Sequence, residues 1–258
     1  MEVIIQRNAG SAADRVAGII AEALRAKPRL VLGLATGSTM APVYERLVRL
    51  HREEGLDFSR CRTFNLDEYA GLAANDPSSY HYFMKERFFT KVNIDPRNTH
   101  LPDGGAQDLA AEGRTYENLI AESGGIDLQL LGIGLNGHVG FNEPHSDFRS
   151  RTRVQELSQV TRAQNAPLFP QPAQMPQRAI TMGLGTILEA RRCVLLATGK
   201  NKADIVARAI EGPVADGIPA TALQSHPACT VVLDEAAAAK LHARGGPPRR
   251  KSSRLSGG

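Results

Sequence analysis

An α/β fold with a mostly parallel central sheet is what this chain predicts, on three observations. Strand-like apolar runs alternate with helix-like segments almost from end to end, the pattern of βαβ units when the helical stretches run roughly 10–15 residues. At 258 residues the chain has a length at which α/β folds often form one unit. Its 42% apolar content suffices for a sizeable core and excludes general disorder.

The elements follow in order. Val3 to Ile5 reads as a first strand; its neighbour Glu2 and its shortness do not fit a signal peptide. SAADRVAGIIAEALRAK follows as a helix, with Ser11 and Asp14 spaced like a capping box. RLVLGL (Arg29 to Leu34) precedes a helix around Val43 to Glu54, with Pro42 in its first turn. CRTFNL leads to SSYHYFMKERFF and then to a helix near Leu109 to Ala121. IDLQLLGI opens into a glycine-rich segment. RCVLLA precedes KADIVARAIEG, stopped at Gly212, and CTVVL precedes DEAAAAKLHAR. Asn165 to Pro176 carries four prolines in twelve residues; a stretch that irregular is a connector or a lid. Residues 1–243 are expected to form a single domain with a lid at about 158–178.

Charge and cysteines narrow the function classes. The net charge is +4, but the tail from Arg244 to Gly258 holds five basic residues and no acidic one. Subtracting those five leaves −1 for the rest, so the body is no basic surface and nucleic acid is not expected as a partner. The tail, 244–258, has the Gly, Pro and Ser content of a disordered segment. No apolar stretch reaches the roughly 18–20 residues that span a bilayer. Cys61, Cys193 and Cys229 lie far apart without a C-x-x-C, which fits a reduced, cytoplasmic protein with no cysteine-built metal site.

Ligands of open parallel sheets sit beyond the carboxyl ends of the strands, and four polar segments fall there. ATGST, Ala35 to Thr39, sets Gly37, Ser38 and Thr39 before a helix, where free N–H groups and hydroxyls suit a phosphate. Plain capping by Ser38 or Thr39 is the alternative, and without Gly-Lys-Ser/Thr it is no nucleotide P-loop. ATGKNK places Lys200 and Lys202 at a helix start, where each cation costs about 0.3–1 kcal/mol unless an anion reverses the sign; ordinary solvated lysines are the alternative. FNLDEY has adjacent carboxylates, Asp67 and Glu68, which in a strand point opposite ways, so one enters a site. There it can act as a general base or simply form a turn.

GIGLNGHVGFNEP, Gly132 to Pro144, formally contains G-x-G-x-x-G. Dinucleotide binding requires a helix to follow, whereas another glycine, Gly140, and Pro144 follow here. Gly134, Gly137 and Gly140 instead let the backbone bend so that His138 and Glu143 converge. A carboxylate beside the imidazole fixes its tautomer and raises its pKa. A structural pair is the alternative, and no other His has ligand spacing for a metal.

Together LGLATGST, TFNLDEYAGL, SYHYFM, GIGLNGHVGFNEP, SRTR, TMGLGTILEA, GKNKA and LQSHP resemble, in order and spacing, the glucosamine-6-phosphate deaminase family, over residues 1 to about 240. The resemblance implies a Rossmann-like three-layer α/β/α sandwich. It implies Asp67 as the base at C2, and His138, assisted by Glu143 and Asn136, as the ring opener. Ala35, Thr36, Gly37, Ser38, Thr39 and Lys202 would hold the 6-phosphate, with Gly134 and Gly137 against the substrate. No cofactor or metal is implied, and the partner is a small amino-sugar phosphate; monomer and homo-oligomer both stay open. The implied reaction takes glucosamine 6-phosphate and water to fructose 6-phosphate and ammonia. A 6-phosphogluconolactonase-like hydrolase and a non-catalytic sugar-phosphate sensor are the rival readings.

Three positions depart from the family pattern. Asn136 stands where many members have Asp, so it can orient but not ionise. Pro167 follows TRAQNA where members place a lid Arg, and a bidentate phosphate contact is lost. Arg153 is followed by Val154 and Gln155, without the basic residue of members regulated by N-acetylglucosamine 6-phosphate, so that regulation is not expected.

Overall fold

In the computed structural model, which describes residues 1–171 and 174–242, seven strands form one parallel sheet. They are β1 (Glu2–Gln6), β2 (Val31–Leu34), β3 (Arg62–Asn65), β5 (Thr99–His100), β6 (Leu128–Leu131), β9 (Cys193–Ala197) and β10 (Cys229–Asp234), in the spatial order β1-β10-β9-β6-β2-β3-β5. Every residue of β2, β6 and β9 is buried, as befits central strands covered on both faces. Helices α1 (Ala9–Ala26), α2 (Ala41–Glu54), α4 (Leu109–Glu122) and α7 (Ala203–Glu211) supply the outer layers of the expected three-layer sandwich. The expected tail, 244–258, lies outside the described residues, as do positions 172 and 173 of the expected lid. Among the described residues no helix is long and apolar enough to cross a membrane, and the three cysteines are free and buried.

Two details of the helices correct the sequence reading. Helix α1 is capped by Asn8, whose side chain accepts from Ser11 N at 2.9 Å, while the Ser11 hydroxyl reaches back to the Asn8 backbone. Ser11 is thus the third helical residue of a capping box and not its first member. Helix α2 starts at Ala41 with Pro42 in the first turn as expected, but its N-cap, Met40, makes no side-chain cap bond. Neither Ser38 nor Thr39 caps it, which removes the plain capping alternative for ATGST.

A second, antiparallel sheet was not anticipated. Strands β4 (Asp67–Tyr69), β7 (Arg153–Glu156) and β8 (Arg178–Thr181) pair in the order β4-β8-β7, with Asp67 opposite Thr181. One residue joins the two sheets: Leu66 N donates to Leu34 O at 3.0 Å, and Leu66 O accepts from Met182 N at 2.7 Å. The irregular stretch after α5 (Gln159–Asn165) is anchored by Phe169 and Met175, which pack with Tyr69, Phe141, Leu157 and Ala179 in a small second core.

Candidate active site

At the carboxyl edge of the parallel sheet lies a cavity of about 530 Å³. All four polar segments singled out in the sequence contribute to its wall. Ala35, Thr36, Gly37, Ser38 and Thr39 come from the loop after β2, Asp67 from β4, Gly134 and His138 from the loop after β6, and Lys202 from the turn after β9. Asp67 and His138 therefore face one shared space. Lys200 does not line it, and Gly137, Asn136 and Glu143 are also absent from the wall.

Groups of the kind that bind anions line the cavity. The loop Thr36 to Thr39, with the free Ser38 and Thr39 side chains, shares the wall with Lys202, the only lysine or arginine among the described residues of the wall. Lys202 Nζ donates to Ile133 O at 2.7 Å, and burial pulls its pKa down to about 8. An ammonium held out of water with one carbonyl partner gains when a phosphate arrives. Thr198 and Asn201 also line the cavity; they lie in the same ATGKNK segment, but nothing in their residue types marked them.

The wall also carries an acid and an imidazole. Asp67 is 5% exposed, and burial, reinforced by the neighbouring Glu68, holds its carboxyl well above the usual range. Glu68 points away from the cavity, as the alternation of a strand requires. Tyr80, from α3 (Tyr80–Arg87), completes this wall; its signal was the unexplained aromatic content of SYHYFM.

His138 is held from behind by a chain of bonds. Its Nδ1 lies 2.8 Å from Asn136 Oδ1, and Asn136 Nδ2 donates to Glu143 Oε2 at 2.7 Å. Glu143 Oε1 accepts from Ser158 N at 3.0 Å. A carboxylate only accepts, so the amide must turn its NH₂ to Glu143 and its carbonyl to the imidazole. The proton of neutral His138 then sits on Nδ1, and Nε2 keeps its lone pair. Glu143 pushes the His138 pKa up, as expected, but burial outweighs it and the net value falls to about 4, with Lys202 lowering it further. The Glu143 oxygen is 3.9 Å from Nδ1, with Asn136 bonded to both.

The glycines divide. At Gly134 a Cβ would come within 2.1 Å of the His138 ring, so only glycine lets the imidazole lie against this strand end. Gly137, expected against the substrate, instead turns the chain at φ 86°, and a Cβ there would meet Ile218 at 2.6 Å. Its role is packing. Pro167 is exposed in a short 3₁₀ turn, Ala166–Leu168, and Leu168 rather than Pro167 reaches the cavity. Neither Arg162 nor Arg178 lines the wall, so neither stands in for the missing lid arginine there. Among the described residues no three His, Cys, Asp or Glu side chains cluster as metal ligands.

The sequence pattern described as glucosamine-6-phosphate isomerases/6-phosphogluconolactonase spans residues 6–232. The chain belongs to this family. Within it, the chain is 53% identical to the glucosamine-6-phosphate deaminase of Rhodopirellula baltica, over 95% of this chain and 97% of that protein. It is 50% identical to that of Bacillus velezensis, over 92% and 99%. Among solved structures, a monomeric glucosamine-6-phosphate deaminase superposes with a TM-score of 0.92 at 45% identity, covering 93% of this chain and all of that one. The 6-phosphogluconolactonase of Trypanosoma brucei superposes at 0.75 with 21% identity, a likeness of fold alone.

Proposed function

We propose that this family member is a glucosamine-6-phosphate deaminase in which Asp67 and His138 work on one sugar whose phosphate is held by Thr36 to Thr39 and Lys202. The observation that carries the reading is the shared cavity, whose wall holds a raised carboxyl, a neutral imidazole, a loop of backbone N–H groups and hydroxyls, and an ammonium. His138 Nε2 takes the proton of the anomeric hydroxyl and returns it to the ring oxygen, which opens the pyranose and exposes the C1 aldehyde. Asn136 and Glu143 keep Nε2 unprotonated and aimed. The aldehyde acidifies C2–H, and Asp67 removes that proton to give an enolamine. Protonation at C1 yields a C2 iminium; water adds at C2, ammonia leaves, and fructose 6-phosphate remains. The carbonyl moves from C1 to C2, an isomerisation, while water cleaves the C–N bond, so the net step is also hydrolytic.

Ammonia release tests this directly. Glucosamine 6-phosphate should yield ammonia and fructose 6-phosphate, while glucosamine and N-acetylglucosamine 6-phosphate should not react. Silence toward glucosamine 6-phosphate, with hydrolysis of a phosphorylated sugar lactone instead, would transfer the chain to the rival hydrolase.

A second expectation concerns the lid. An arginine at 167 would stand one residue from Leu168, which lines the cavity, and a guanidinium can clamp phosphate bidentately. Pro167→Arg should lower the KM for glucosamine 6-phosphate by up to about tenfold, since one such hydrogen bond is worth about 1.5 kcal/mol or more. An unchanged or higher KM would show that phosphate is not approached from this turn.

A further inference from the structure

The proposed reaction gives Glu68 no task, yet its side chain is 1% exposed and both of its oxygens are bonded twice. Oε1 accepts from Tyr69 N at 2.8 Å and Tyr80 N at 3.0 Å, and Oε2 accepts from His81 N and lies against His81 Nδ1, both at 2.9 Å. Each partner is an N–H, as an acceptor-only carboxylate requires. Two of the donors open helix α3, so Glu68 ties strand β4 to the start of the helix that carries Tyr80 into the cavity wall. Because Asp67 and Glu68 leave the strand on opposite sides, fixing one fixes the direction of the other. A cap formed by serine alone would suffice for the helix, and one is present: Ser79 accepts from Tyr82 N at 3.0 Å. The buried charge of Glu68 therefore does more than the helix end needs.

We propose that Glu68 is a positioning residue for the base: it fixes the aim of Asp67 and holds a carboxylate beside it, with the His81 ring nitrogen 2.9 Å from its Oε2. The proposal rests on the reading of Asp67 as the base. The other groups that face the pair do not compete for this role. Tyr44 of α2, Tyr69, Tyr80 of α3 and Tyr116 of α4 are phenols whose pKa burial pushes up, so they stay neutral at working pH. His138 and Lys202 share the cavity with Asp67, and His81 is the titratable group in contact with Glu68. A negative neighbour favours the protonated form of Asp67, in the same sense as its burial.

The test is the acid limb of the kcat/KM profile for glucosamine 6-phosphate in two variants with opposite expected signs. Glu68→Gln keeps the volume and an accepting oxygen but removes the charge, so the limb should move to lower pH by about half a unit or more, with a several-fold loss of kcat. His81→Gln removes the ring nitrogen that meets Glu68 Oε2, so the carboxylate faces Asp67 with one partner fewer and the limb should move to higher pH. Substrate ionisations are common to all profiles and cancel in the comparison. Limbs that stay in place in folded variants, whatever the loss of rate, would reduce Glu68 to a helix cap and overturn the proposal. If Glu68→Gln does not fold, His81→Gln decides alone: an upward limb supports the proposal and a fixed limb overturns it. Failure of the underlying reading is told apart by Asp67→Asn, whose turnover would then survive.

Discussion

Asp67→Asn should lose about 10²–10⁴-fold in kcat, the usual contribution of a positioned base, while the KM for the sugar phosphate stays within a few-fold. The same variant should be more stable than the wild type, and the gap should depend on pH. Burial raises the Asp67 pKa above its ordinary value of 3.8. An acid raised in the folded state contributes stability that is complete below its unfolded pKa and lost as pH climbs through the folded one. Asparagine has no such titration, so its advantage opens as pH rises from about 4 and levels off beyond the folded pKa of Asp67. Each unit of that rise is worth about 1.4 kcal/mol. Thermal melts across a pH series, beside steady-state kinetics, check both halves. Near-normal turnover would remove Asp67 from the reaction, and a gap flat with pH would remove the burial argument.

Lys202→Met should act on binding instead. A hydrogen bond to a charged group is worth about 1.5–3 kcal/mol, so the KM for glucosamine 6-phosphate should rise roughly 10- to 100-fold with a smaller change in kcat. Burial places the Lys202 pKa at about 8, so the ammonium of the free enzyme is present below that pH and lost above it. The wild type should therefore show an alkaline fall in kcat/KM near that value, absent from the variant. A KM unmoved by the substitution would mean that the loop Thr36–Thr39 alone carries the phosphate.

Most of the large sheet was legible because its strands announce themselves by burial. VLGL, LQLL and CVLLA are apolar enough to fix β2, β6 and β9, and the helices between them follow from amphipathic spacing. The small sheet was not legible. Its strands run three or four residues, and RVQE of β7 has no fully buried position, so no apolar run marks it; pairing with β8 is a tertiary choice. The site divides in the same way. That one of Asp67 and Glu68 enters the cavity follows from strand alternation, and that it is Asp67 follows from the family resemblance; the convergence of ATGST, Lys202 and His138 follows from their places at strand ends. The protonation of His138 does not follow, because it depends on how deeply the ring is buried and on Asn136 lying between it and Glu143. At Gly137 the sequence shows that a glycine is needed, and only neighbours such as Ile218 show the packing that requires it.

The single residue Leu66 separates strand β3 from strand β4, so the two ends of the substrate answer to different frameworks. On the proposed assignment the phosphate loop leaves the broad sheet at β2, whereas Asp67, the proposed base, rides on the narrow one. Substitutions that tilt the narrow ribbon re-aim the chemistry and leave the phosphate loop where it was.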